Sequence, residues 1–198
     1  PSEQQAALTE LGRNLLAGGY HFVTPTPETH RRVNARPENR IAACLHDVFG
    51  WSRPFAPDLL PDAQRALMER GDILQSDGNL LRSRARFSSL DDQLFIHSAY
   101  PTIDADAVFF GPDTYRFVRL LKILPRPVRN PLRIIDIGAG RGGGGLAIAA
   151  DWGGGEWHGH NAFSREGERI FRTYMINSRG DEALGTVWSY LDMTALGR

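Results

Sequence analysis

Cysteine is nearly missing from this chain of 198 residues: Cys44 stands alone. No intramolecular disulfide can form, and that absence points to a reducing, cytoplasmic setting. An excess charge of either sign is missing as well. The 23 basic and 23 acidic side chains cancel, which argues against a surface built throughout for nucleic acid. No apolar run approaches the roughly 20 residues that span a bilayer. The opening Pro1-Ser2-Glu3-Gln4-Gln5 lacks the basic-then-apolar order of a signal peptide. Internal repeats are missing, and one glycine string is the sole low-complexity tract. These absences predict a cytoplasmic protein without a membrane partner. The length suffices for one good core or two small ones.

Three segments then differ in character. Residues 1–108 read as helices followed by a β-hairpin. Ser2 with Gln5 makes a capping box, Leu8, Leu11, Leu15 and Leu16 recur at helical spacing, and Gly18-Gly19 ends that helix. Thr26-Pro27-Glu28 starts a second helix. Ile41, Ala42, Leu45 and Val48 mark a third apolar face, stopped at Gly50, and Asp62 to Arg70 a further helix with Gly71 past its end. Ile73-Leu74-Gln75 leads into the turn Ser76-Asp77-Gly78-Asn79, Leu80 to Phe87 runs back, and Gln93 to His97 forms another strand. Helices followed by a hairpin with an Asp-Gly tip predict a winged-helix-like domain. Such a domain binds DNA through a recognition helix, or docks a partner. Arg82, Arg84 and Arg86 alternate along the returning strand and are the candidate contacts for an anionic substrate.

Residues 109–150 carry the most informative pattern. Tyr115, Val118, Leu120 and Leu121 predict a helix, and the Pro125-to-Pro131 stretch a surface linker. Leu132 to Ile137 is short, apolar and β-branched, as a buried strand should be. It runs into Asp136-Ile137-Gly138-Ala139-Gly140-Arg141-Gly142-Gly143-Gly144-Gly145, followed by the apolar Leu146-Ala147-Ile148-Ala149. Glycine suits such a turn because the backbone can take positive φ and approach a ligand with no Cβ in the way. Bare amides at the following helix start then face a polar or anionic group.

Gly138-x-Gly140-x-Gly142 after a strand-end acid resembles the first motif of class I methyltransferases that use S-adenosylmethionine. In the dinucleotide fingerprint the acid lies about 20 residues later. Val108 to Phe117 (Val-Phe-Phe-Gly-Pro-Asp-Thr-Tyr-Arg-Phe) resembles the segment that precedes the cofactor domain in the small-domain methyltransferases. These include enzymes that modify protein glutamine and others that modify ribosomal RNA. The resemblance spans residues 1–150 and implies S-adenosylmethionine as cofactor. Its contacts would be Asp136, Gly138, Ala139, Gly140 and Gly142, with Phe110, Pro112 and Thr114 lining the pocket. A plainer reading makes Asp113 or Thr114 a helix N-cap.

The pattern also breaks. A cofactor domain of this kind needs about seven strands, whereas the stretch after Ala150 is residues 151–198. No acid clearly ends a second strand, and no Asn-Pro-Pro-Tyr grips a target nitrogen. Residues 151–198 are β-rich, with Ile170 to Ile176 the best strand. Gly155 to Phe163, Phe171 to Tyr174, Arg179 to Gly185 and Trp188 to Thr194 resemble the C-terminal part of a bacterial thioredoxin-like family of unknown function. The two resemblances meet near Ala150 to Trp152, as in a fusion, an artefact or an engineered chimera. The alternative is one coherent fold.

His158 and His160 would share one side of a strand, but with Glu156 alone beside them no metal site is expected. His97 near Tyr100 reads as structural, and Trp152, Trp157, Trp188 and Tyr190 as a core cluster. Ser164 and Ser189 belong to no nucleophile motif.

The expectation is therefore an α/β protein: a winged-helix-like domain, then an incomplete Rossmann-like methyltransferase unit with a β-rich C-terminal segment. It would act on a protein side chain or RNA, with turnover weak or absent, and its catalytic residue is not named. The rivals are a non-enzymatic winged-helix-like protein that binds a partner or nucleic acid, DNA included, and a thioredoxin-like fragment. An incomplete sheet leaves an open edge, which predicts self-association. Light scattering checks this: a mass above that of one chain is expected, and a monomer at high concentration removes the idea.

Overall fold

The computed structural model describes residues 3–103, 107 and 110–123, and four backbone strands at 133–137, 156–160, 170–177 and 182–188. The chain is α/β overall, with helices and small antiparallel ladders in its N-terminal part. It forms two compact units, residues 1–107 with 176–181 and residues 108–175 with 182–198.

In the first unit, helix α1 spans Glu3–Ala17 and buries Ala7, Leu11 and Leu15, the leucine stripe read from the sequence. Ser2 lies outside the described residues. Gly19 ends the helix with φ +75°, a conformation that costs glycine nothing. Thr26 caps helix α2 (Pro27–Asn34): its side chain accepts from the Thr29 amide at 3.2 Å, and Pro27 sits at the first helical position. One 3-10 turn follows at Pro37–Asn39. Helix α3 is shorter than the apolar spacing predicts, Leu45–Phe49. Ile41 and Ala42 stay outside it because the Ala42 amide donates to the Pro54 carbonyl (2.8 Å) and Cys44 is extended. Helix α4 spans Asp62–Arg70 as expected.

The hairpin is strand β1 (Leu74–Asp77) against strand β2 (Leu80–Ser83). Asp77 pairs with Leu80, so Gly78-Asn79 is a two-residue loop, and Gly78 takes φ +62°. The return run expected from Leu80 to Phe87 is broken at Arg84 by a second set of partners. The Arg84 amide donates to the Ile73 carbonyl (2.7 Å), while its own carbonyl accepts from Ala99 (3.0 Å). Strand β3 (Ala85–Leu90) then starts and pairs antiparallel with strand β4 (Gln93–Ser98). The core gathers Leu11, Leu15, Val48, Phe49, Phe55, Leu67, Met68, Phe87 and Leu94, all nearly inaccessible. Phe49 meets Phe87 edge-on at 5.3 Å.

In the second unit, helix α5 spans Pro112–Lys122. Its N-cap is Gly111, not Asp113 or Thr114, because Pro112 fits the first helical position. Strand β5 (Arg133–Ile137) pairs parallel with strand β6 (Glu156–His160), which pairs parallel with strand β8 (Glu182–Trp188). Strand β7 spans Ile170–Asn177, of which residues 170–175 fall in this unit. The linker at 124–132 and the side chains of Trp152, Trp157, His158, His160, Ser164, Trp188, Ser189 and Tyr190 lie outside the described residues.

Gly50 shows how tightly the first unit is packed. A Cβ there would lie 2.3 Å from Cδ2 of Phe22, whose buried ring meets Trp51 edge-on. Gly50→Ala is therefore expected to lower stability by about 1–3 kcal/mol, the usual cost of overpacking. The urea midpoint checks it, and an unchanged midpoint would mean that the ring moves aside freely.

Candidate functional site

Backbone carbonyls turned inward need donors, and the loop 51–55 collects them from several elements. The Trp51 carbonyl accepts from His30 Nε2 (2.8 Å) and Asn34 Nδ2 (2.8 Å), both on α2. The Ser52 carbonyl accepts from Arg82 Nη1 on β2 (2.9 Å). Ser52 Oγ accepts from the Tyr100 amide (3.1 Å). Arg53 is buried and paired with Asp47 of α3 at 2.5 Å, and its Nε donates to Asn34 Oδ1 (3.0 Å). Three aromatic rings gather in this region. His30 lies 5.1 Å from Trp51 and is stacked on Tyr100 at 4.0 Å.

His30 is fully buried, and burial holds its imidazole down to about 4 from an ordinary 6.5. The Trp51 carbonyl opposes that shift, while the nearby Arg86 and Arg53 cations add to it. Nε2 must carry the proton to donate to the Trp51 carbonyl, so Nδ1 is left to accept from Arg86 Nη1 at 3.4 Å.

The three candidate substrate arginines are not equivalent. Arg82 is half-exposed and donates to Asp77 at 2.6 Å as well as to Ser52. Arg84 is exposed, and its side chain has no hydrogen bond or ion pair among the described residues. Arg86 is 1% exposed, with its Nε donating to the Ser98 carbonyl at 3.2 Å. The bend at Arg84 splits the run into two strands, so the three side chains do not form one solvent-facing row. His97 is buried with Ser88 Oγ 2.7 Å from its Nε2.

Phe110, Pro112 and Thr114 gather at the start of α5. Phe110 is buried and meets Tyr115 edge-on at 5.4 Å. The Thr114 amide donates to the Gly111 carbonyl (2.9 Å). Asp136 lies on β5 opposite Gly159 of β6, one residue before the strand ends. Gly138, Ala139, Gly140 and Gly142 lie outside the described residues. An open hollow of about 660 Å³ between Pro57 and Arg65 offers no free cation. There Arg65 donates to the Leu60 carbonyl (2.6 Å) and is paired with Asp62.

Sequence reasoning missed His30, Asn34, Asp47, Arg53 and their loop. Their one signal is polar side chains inside α2 and α3 with no apolar partner in the local spacing. The distance along the chain between α2, the loop and Tyr100 hides the rest.

One family matches, described as Bacterial protein of unknown function (DUF899), over residues 135–198, less than half of the chain. No curated protein matches. The match covers the glycine run, and no methyltransferase family is found over residues 1–150. The methyltransferase resemblance is therefore corrected: Asp136 to Gly142 falls within the match to the family of unknown function. The physical reason is that an apolar strand entering a glycine turn serves many folds, so three spaced glycines discriminate weakly.

The neutral His30 has a pH consequence. Its folded pKa lies below the unfolded value, so the unfolded chain binds more protons between about pH 4 and 6.5. That contribution is complete above 6.5 and is lost as pH falls through the window, by up to about 1.4 kcal/mol per pH unit. In urea titrations between pH 5 and 6.5, His30→Gln should flatten this slope while keeping a donor for Trp51. An unchanged slope would show that His30 is not its source.

Proposed function

We propose that the unit containing β5 binds S-adenosylmethionine on the run Asp136 to Gly142, with methyl transfer to a protein side chain or RNA as the reaction it would serve. The observation that carries this is the parallel pairing of β5 with β6. In open α/β sheets ligands bind beyond the carboxyl ends of parallel strands, and the glycine run begins where β5 ends. Asp136 would accept hydrogen bonds from a cationic or hydroxylated part of the ligand, and bare amides would meet its carboxylate. The reading rests on this chemistry and place in the sheet, not on family membership. Transfer itself would be a direct displacement governed by positioning.

Among the described residues, the N-terminal unit favours a second, non-enzymatic reading. Helix α4 leads into the β1–β2 hairpin with its exposed tip, the order of a winged-helix-like module that docks a partner or nucleic acid. The thioredoxin-like reading draws on the family match, but Cys44 lies outside residues 135–198 and has no second thiol in the chain.

Calorimetry with S-adenosylmethionine tests the first reading. Micromolar binding is expected, weakened tenfold or more in Asp136→Ala, about the worth of a charge-assisted hydrogen bond. No heat at millimolar ligand, or binding indifferent to Asp136, overturns it.

A further inference from the structure

The aromatic stack and the arginines around it form a surface that spacing along the chain does not reveal. Tyr100 is half-buried and stacked on His30, which lies against half-buried Trp51. Arg53 lies over the Trp51 ring at 5.7 Å. The Arg84 carbonyl accepts from the Ala99 amide, which places that exposed residue next in the ladder to Tyr100, and Arg82 holds the Ser52 that receives the Tyr100 amide. Arg31 follows His30 in α2, is exposed, and comes near enough to Tyr100 to interact electrostatically. Two of the three rim arginines carry one exposed carboxylate each: Glu28 on Arg31 at 2.7 Å, and Asp77 on Arg82 at 2.6 Å. Such solvent-exposed pairs are worth little, and a phosphate can displace the carboxylate. Arg84 has no such partner among the described residues.

Three rim guanidinium groups against two exposed carboxylates leave one net positive charge near Tyr100, and the exposed Arg84 carries it. Stacking platforms edged by cations suit single-stranded nucleic acid, where bases lie on rings and phosphates meet guanidinium groups. The α4 face, where a winged-helix-like module reads duplex DNA, is charge-balanced and has no net attraction for it. Asp62, Ala63, Ala66 and Glu69 line that helix, Arg65 meets Asp62 and the Leu60 carbonyl, and Arg70 faces Glu10 at 3.9 Å.

We propose that the surface around Tyr100, rimmed by Arg31, Arg82 and Arg84, binds single-stranded nucleic acid. The proposal deepens the reading of the N-terminal unit as a binding module and rests on it. Bases stack at Tyr100, and the rim arginines take successive phosphates. Binding needs neither the glycine run nor a methyl donor.

Fluorescence anisotropy of the full chain with a short labelled oligouridylate tests it. The expected result is binding at low salt, with log K falling against log salt at a slope of about −2, as three phosphate contacts on a single strand require. Arg84→Glu, an exposed change that leaves the core alone, should weaken binding at least tenfold. Tyr100→Leu should do the same while Tyr100→Phe does not, with circular dichroism confirming that each folds. Arg70→Glu on α4 should leave binding unchanged. Equal losses in Arg70→Glu and Arg84→Glu would reduce the effect to diffuse charge and overturn the proposal. Tighter binding of duplex DNA, lost in Arg70→Glu, would keep the module and overturn this surface. Polyglutamate competing as well as oligouridylate would assign the surface to an acidic protein and overturn the nucleic-acid reading. No binding of any of the three would remove both the surface and the module.

Discussion

Two carbonyl oxygens, those of Trp51 and Ser52, set the demands that much of the first unit is built to meet. A buried carbonyl without a donor costs about 1–3 kcal/mol. His30, Asn34 and Arg82 supply the donors, from α2 and from β2. The same loop takes Ser52 through φ 55°, a left-handed conformation that a serine holds only when its surroundings fix it. Its hydroxyl accepts from Tyr100, so the chain just past β4 is tied to the same point. Asp47 and Arg53 close the loop from inside. A buried ion pair of this kind gives little net stability over apolar packing, yet losing one partner strands the other. Through Asn34 and Asp47 it ties the loop to α2 and α3.

Local signals made the helices and turns legible. Thr26-Pro27, the leucine stripe of α1 and Asp62 to Gly71 act over a few residues, and the structure follows them; the hairpin turn is also there, with Gly78-Asn79 and not Asp77-Gly78 at its tip. The reading fails where a distant group competes. Ile41 and Ala42 have helical spacing, but Pro54 claims the Ala42 amide. Arg82, Arg84 and Arg86 alternate as on one strand, but Ile73 and Ala99 claim the backbone of Arg84 and bend the chain there. Arg86 is buried because β3 is covered on both faces, and period-two spacing alone carries no trace of that.

The glycine run illustrates a different limit. The apolar strand expected before it is β5, and β5 has a parallel neighbour. The chemistry of an acid followed by bare amides is general, and it does not name a family. The match to a family of unknown function across residues 135–198 makes the same point from the other side. What the glycine run holds is decided by a ligand's own heat of binding, and the N-terminal surface stands apart from that answer.

Arg86 and His30 lie 56 positions apart and share one interior. The imidazole accepts from a guanidinium, so neither side chain can drift independently through neutral change. A replacement that adds a charge at 30, or removes the donor at 86, must be answered at the other position. Related chains should therefore exchange these two residues together, leaving a covarying pair as the inherited imprint of a single buried contact.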